Sequence, residues 1–103
     1  MDPLTGRQKT QLRSLGQRLE PALKLGKGGL TPAFFVELRR RLETAELVKL
    51  RFLGADRDER AALCERIASE GGCHGLGAVG HTALFYRPHP DPARRLLLTP
   101  AAD

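Results

Sequence analysis

The amino-acid sequence predicts an α/β (α+β) fold: a two-layer sandwich of order α-β-α-β-α-β-β, with a mixed four-stranded sheet and its helices on one face. Three patterns carry that prediction. Apolar residues recur at helical spacing in three segments, each of which follows a capping signal. Between them lie runs whose apolar residues alternate, as half-buried strands do. A final pair of apolar runs meets at Gly80-His81, where glycine allows a tight hairpin turn. With 103 residues, 41% of them hydrophobic and 28% charged, the chain is expected to form one domain around one core.

The first helix is expected from Thr5 to about Arg18, because Thr5 and Gln8 have capping-box spacing and Leu12, Leu15 and Leu19 recur on one face. Lys9 and Arg13 then fall together beside that stripe, and Pro21 ends the segment. Ala22 to Leu25 reads as a short strand, with Leu23 and Leu25 alternating against Lys24. Thr31-Pro32 starts the second helix, a capping hydroxyl followed by a residue with no amide to satisfy. Its stripe is Phe35, Leu38 and Leu42, and Arg40 points away from it.

Leu47 to Leu53 alternates cleanly, Val48, Leu50 and Phe52 facing one way and Lys49 and Arg51 the other. Asp56 and Glu59 repeat the capping box before a third helix that carries Leu63 and Ile67 and ends at Gly71-Gly72. Cys73 to Val79 and Thr82 to Arg87 complete the sheet, the former interrupted by Gly75 and Gly77. The core domain spans residues 1–88; residues 89–103, with three of the seven prolines, form a tail expected to be extended, in which Leu96 to Leu98 could dock. If one sheet face is covered by three helices, the other shows Lys24, Lys49 and Arg51, an open basic surface.

Charge is uneven along the chain. Residues 1–54 hold eleven Lys/Arg against five Asp/Glu, whereas residues 55–103 hold six against seven. A basic half suits a polyanion such as nucleic acid. The N-terminus MDPLTGRQK lacks the apolar region of a secretory signal, and no apolar stretch approaches the roughly 18 residues of a membrane span. A soluble, cytoplasmic, monomeric protein without a membrane partner is expected. Cys64 and Cys73 form no CxxC pair, and with His74, His81 and His89 they match no zinc spacing, so no metal or other cofactor is implied. The carboxylates Asp56, Asp58 and Glu59 crowd a helix start, where capping explains them without acid–base catalysis.

The stretch KLGKGGLT, Lys24 to Thr31, carries the chemistry. A strand, the glycine-rich turn Gly26-Lys27-Gly28-Gly29 and a helix start would bring bare amides and the positive end of a helix dipole together as an anion site. Lys27 at the tip adds a charge-assisted contact. The stretch lacks the Walker loop's Lys-Ser or Lys-Thr pair and is not GxGxxG, which argues against mononucleotide hydrolysis and dinucleotide binding. A four-residue GxxG loop is what KH-type domains use to clamp a nucleic-acid backbone.

These residues resemble the CRM domain family in its stand-alone bacterial, YhbY-like form. The resemblance rests on Leu25-Gly-Lys-Gly-Gly-Leu-Thr31 for the family's loop, Glu46-Leu-Val-Lys49 at the opening of the second strand, and Gly80 with Phe85-Tyr-Arg-Pro88 at the close, and it covers roughly Leu4 to Pro88. It implies a fold similar to the C-terminal domain of translation initiation factor three, and an RNA-binding role linked to precursors of the large ribosomal subunit. It places RNA contact at Gly26, Lys27, Gly28 and Gly29; local charge alone adds Lys9, Arg13, Lys24, Arg40, Lys49 and Arg51. Two other readings stay open on the residues: a protein-interaction module whose basic face meets an acidic partner, and a small phosphate-transferring enzyme, for which no metal or nucleophile motif is present.

Overall fold

The computed structural model describes residues 3–26 and 28–95. Seven principal elements follow the expected order: α1 (Gly6–Gly16), β1 (Leu23–Leu25), α2 (Pro32–Ala45), β2 (Leu47–Phe52), α3 (Arg57–Gly71), β3 (His74–Val79) and β4 (Thr82–Tyr86). A 3-10 turn at Pro92–Arg94 follows them, so the described part of the tail is not simply extended. The tail leucines Leu96 to Leu98 lie outside the described residues.

The helix starts are those the capping signals predict. Thr5 accepts from the Gln8 amide at 3.1 Å while Gln8 Oε1 accepts from the Thr5 amide at 3.0 Å. Asp56 and Glu59 make the same reciprocal pair at the head of α3, and Thr31 caps α2 by accepting from Phe34. At the other end of α3, Gly72 takes φ +65° and its amide donates back to Ala68, a left-handed cap that glycine adopts without strain.

The strand order is β1-β2-β4-β3. β1 and β2 are parallel, and β4 runs antiparallel to both neighbours, which places it between β2 and β3. The register of β3 against β4 shifts between Gly75 and Ala78, where Gly77 has φ +87°: the two glycines that interrupt the strand in sequence mark a bulge.

One feature of the expected architecture is corrected. The helices do not all cover one face. α2 and α3 bury Phe35, Leu38, Leu42, Cys64 and Ile67 against Leu23, Leu25, Val48, Leu50, Phe52 and Phe85 on the first sheet face. α1 lies on the second face, where Leu12 packs with Leu47, Leu76 and Tyr86. The reason is that β4 is apolar on both sides: Ala83 and Phe85 enter the first cluster, Leu84 and Tyr86 the second, so two layers of helix are needed to keep it dry. α1 also ends early, at Gly16 rather than near Arg18, the chain passing into turns in which the Arg18 amide donates to the Leu15 carbonyl and that of Leu19 to Gly16. Gly16 itself sits so close to Leu84 that an added Cβ would meet its side chain at 2.3 Å. Of the predicted stripe, Leu12 is wholly buried, but Leu15 and Leu19 remain exposed.

Leu12→Ala should therefore cost about 2–5 kcal/mol of unfolding free energy, as deletion of a fully buried leucine does. Leu15→Ala should stay within about 0.5 kcal/mol. Chemical denaturation of the two variants checks the pair; equal losses would contradict the placement of α1.

Candidate nucleic-acid interface

The glycine-rich loop leaves β1 at Leu25, whose carbonyl accepts from the Leu53 amide at 2.8 Å, so the loop is pinned beside the end of β2. The Gly29 amide donates to the Gly26 carbonyl at 3.1 Å, and Gly29 has φ +67°. A side chain at Gly26, Gly28 or Gly29 would meet nothing within 4 Å, so the space in front of this turn is open. Lys27, the expected cation at the tip, lies outside the described residues.

The helix start behind the loop offers fewer donors than the sequence pattern suggests. Pro32 has no N–H and Thr31 takes that of Phe34. Ala33 keeps the one first-turn amide with no partner among the described residues. An anion placed here would meet turn amides and side-chain charge more than the helix terminus.

Beside the loop, Lys24 and Arg51 are register partners on the parallel pair β1–β2, both exposed on the second sheet face. Neighbouring strands run about 4.8 Å apart, and like charges directly opposite each other are destabilising. Neither has an ion-pair partner among the described residues. Lys49 follows on the same face, half-buried, and shares a cleft with Arg13 of α1. Arg13 is oriented by donation from Nε to the Leu76 carbonyl at 3.2 Å. Lys9 is exposed one turn earlier, near His74.

Arg40 is not brought to this surface. It lies on α2, in the other layer, with its guanidinium 3.9 Å from Glu37, which Arg41 also contacts at 3.0 Å. The two layers differ in charge. α1 and all four strands contain no Asp or Glu, and they carry Arg7, Lys9, Arg13, Lys24, Lys49 and Arg51. α2 and α3 carry six arginines against six acids. A larger groove, about 710 Å³ between α3 and β3, belongs to that balanced layer, with Arg57 and Arg60 sharing its rim with Glu65. Charge, not volume, singles out the α1 side. Sequence reasoning missed the contribution of Gln17, Leu76 and Leu84 to the cleft beside Lys49; Gly16, a glycine inside an otherwise helical pattern, was the signal for it.

Chemistry beyond binding is not offered by the thiols. Both cysteines are free and buried, and burial pushes the Cys73 thiol up to about 11. Among the described residues no helix is long and apolar enough to cross a membrane.

Comparison with known proteins adds a consistent result. The family model for the CRS1/YhbY (CRM) domain matches residues 4–87. The chain is 37% identical over 93 residues to a Pseudomonas aeruginosa protein named "probable RNA-binding protein", covering 90% of this chain and 89% of that one. It is 33% identical over 88 residues to a Haemophilus influenzae protein named "RNA-binding protein", covering 85% and 89%. The solution structure of the Staphylococcus aureus hypothetical protein SAV1595 superposes with a TM-score of 0.79 at 28% identity, over 92% of this chain and 99% of that one.

Electrostatics on the α1 side is testable through His74, which stacks on Tyr86 with ring centroids 6.0 Å apart. Burial, and beyond it neighbouring positive charge including that of Lys9, lowers its pKa below 6.5. A folded pKa below the unfolded one contributes stability that is complete above the unfolded value and is lost as pH falls through the folded value. NMR titration should give His74 a midpoint below 6.5 that rises in Lys9→Ala; a midpoint at or above 6.5 would contradict the assigned surroundings.

Proposed function

Because this chain belongs to the CRS1/YhbY (CRM) domain family, we propose that it is an RNA-binding protein, acting by binding rather than catalysis, that grips structured ribosomal RNA and serves assembly of the large ribosomal subunit. Residues 1–88 form the RNA-binding domain of this reading and residues 89–103 its tail. The observation that carries it is the pairing of Lys24 with Arg51 on a layer without a single carboxylate in its helix or strands. A protein alone gains nothing from two cations in register. A polyanion laid across them relieves the repulsion and releases counterions.

The contacts divide by chemistry. Gly26, Gly28 and Gly29 let a sugar-phosphate backbone approach the turn, and Lys27 is assigned the charge-assisted contact there. Lys24, Arg51, Lys49, Arg13 and Lys9 continue the track across the second sheet face and α1. Arg40, balanced by Glu37 in the other layer, stands outside it. Phosphate contacts of this kind fix register and orientation on the RNA and read shape more than sequence.

Gly28→Asp introduces a carboxylate where the added Cβ meets nothing, so the fold should persist while binding to a ribosomal RNA fragment is lost. Arg51→Gln should lower the slope of log affinity against log salt by about one phosphate. The same change should leave the melting temperature unchanged or higher, because it removes a like-charge pair. Filter binding across a salt series and thermal denaturation check both; full affinity in folded Gly28→Asp and Arg51→Gln would exclude this surface. Co-sedimentation with large-subunit precursors tests the assembly role, and partners that survive nuclease treatment of a pulldown would favour a protein-interaction module.

A further inference from the structure

The second sheet face is not a plain basic strip. Between the last turn of α1 and the β3–β4 hairpin it is indented by a cleft of about 220 Å³. Leu76, Leu84 and Val79 supply apolar wall, while Arg13, Gln17 and Lys49 supply polar groups at its border. Gly16 brings the helix down onto Leu84 and so sets how the helix meets the sheet there. Val79, 78% exposed, adds apolar surface at the mouth of the cleft.

We propose that this cleft is a subsite for one unpaired nucleobase of the bound RNA. The proposal rests on the RNA-binding reading above and deepens it: the RNA engaged by this face carries a single-stranded loop, bulge or end at this point. A nucleobase is a flat, largely apolar ring with acceptor atoms on its edge, and the cleft has apolar walls with cationic donors at its border. Among the described residues Arg13 has only its Nε committed, to the Leu76 carbonyl, so the two terminal nitrogens of the guanidinium are donors toward a base edge or phosphate. Lys49 has no ion-pair partner among the described residues. No carboxylate stands in α1 or the strands to compete for these cations. An apolar side chain of a protein partner would leave them desolvated and unpaired, whereas a nucleotide supplies ring, acceptors and phosphate together. A base held in a duplex cannot enter, because its faces are stacked and its edge is paired.

The test uses the wild-type chain with a short single-stranded RNA carrying one 4-thiouridine, whose photochemistry reports the position of the base rather than of the phosphate. The same sequence annealed into a duplex is the comparison. Crosslinks to the segments 13–17 or 76–84, together with binding of the single strand about fivefold or more tighter than the duplex, are expected from the worth of a base contact. As a second readout, the chain has no tryptophan, so the indole of Val79→Trp should be quenched by the single strand and not by the duplex. Equal binding of both forms, with crosslinks confined to residues 24–31, would overturn the subsite and leave RNA binding intact. Failure of the wild-type chain to bind either form would overturn the RNA-binding reading itself.

Discussion

Strand β4 has to be kept dry on both faces, and much of the molecule is arranged around that requirement. Its residues alternate Ala83 and Phe85 toward one side, Leu84 and Tyr86 toward the other, and Phe85 and Tyr86 are almost wholly buried. Placed between β2 and β3, it joins two apolar clusters that share no side chain. Burial of Phe85 recruits α2 and α3. Burial of Tyr86 recruits α1 through Leu12. Because α1 contributes Leu12 and the bare backbone of Gly16 to this contact, it shields the β3–β4 side of the second face and leaves Lys24 and Arg51, on the β1–β2 side, open to solvent.

That division also explains why the sequence disclosed the elements better than their layers. Capping boxes at Thr5 and Asp56 and the Thr31-Pro32 start are local devices, satisfied within a few residues, so the helix starts follow directly from the chain. Which sheet face a helix covers is a long-range matter. A single leucine stripe does not disclose it, and on α1 the stripe itself misled, since Leu15 and Leu19 stay exposed. The informative signal lay in the strands: Leu47-Val48 and Leu84-Phe85-Tyr86 place apolar residues side by side, and adjacent strand residues face opposite ways. A half-exposed sheet would have shown alternation there, as it does at Leu23-Lys24-Leu25. The glycines of β3 were legible as an irregularity but not as a bulge, because a bulge is defined only against its partner strand.

The basic surface was likewise legible in kind and misplaced in part. Dividing the chain at its middle assigns positive charge to the first half, yet α2, in that half, is tempered by Glu37 and Glu43, and β3 and β4, in the second half, bring no acid at all. Charge is sorted by layer, not by position along the chain. The sorting matters because of screening: at physiological salt the Debye length is about 8 Å. The carboxylates of α3 stand on the far side of the sheet and its core, so they cancel little of the field that a polyanion meets in front of Lys24 and Arg51. For Arg40 the argument reverses, since its nearest charge is Glu37 on the same helix.

The loop and the sheet face then depend on each other. A turn closed by the Gly29 to Gly26 hydrogen bond, with one first-turn amide left at Ala33, is a poor anion trap by itself, because few donors converge and solvent competes freely. Its value lies in what its missing side chains permit. In the proposed function, a backbone that came up against Gly28 would reach the end of β1, one strand away from Arg51, where charge would supply the attraction that the amides lack. Neither feature is strong alone: the strip without the loop would attract any polyanion, and the loop without the strip would hold none. Fixed together by the Leu53 amide on the Leu25 carbonyl, they define a direction across the sheet, from the glycines toward Lys49 and the α1 cleft. On the proposed reading, a strand of RNA laid along that line would pass from backbone contact to side-chain contact, and the end of the track nearest α1 would be where the protein tells a base from a phosphate.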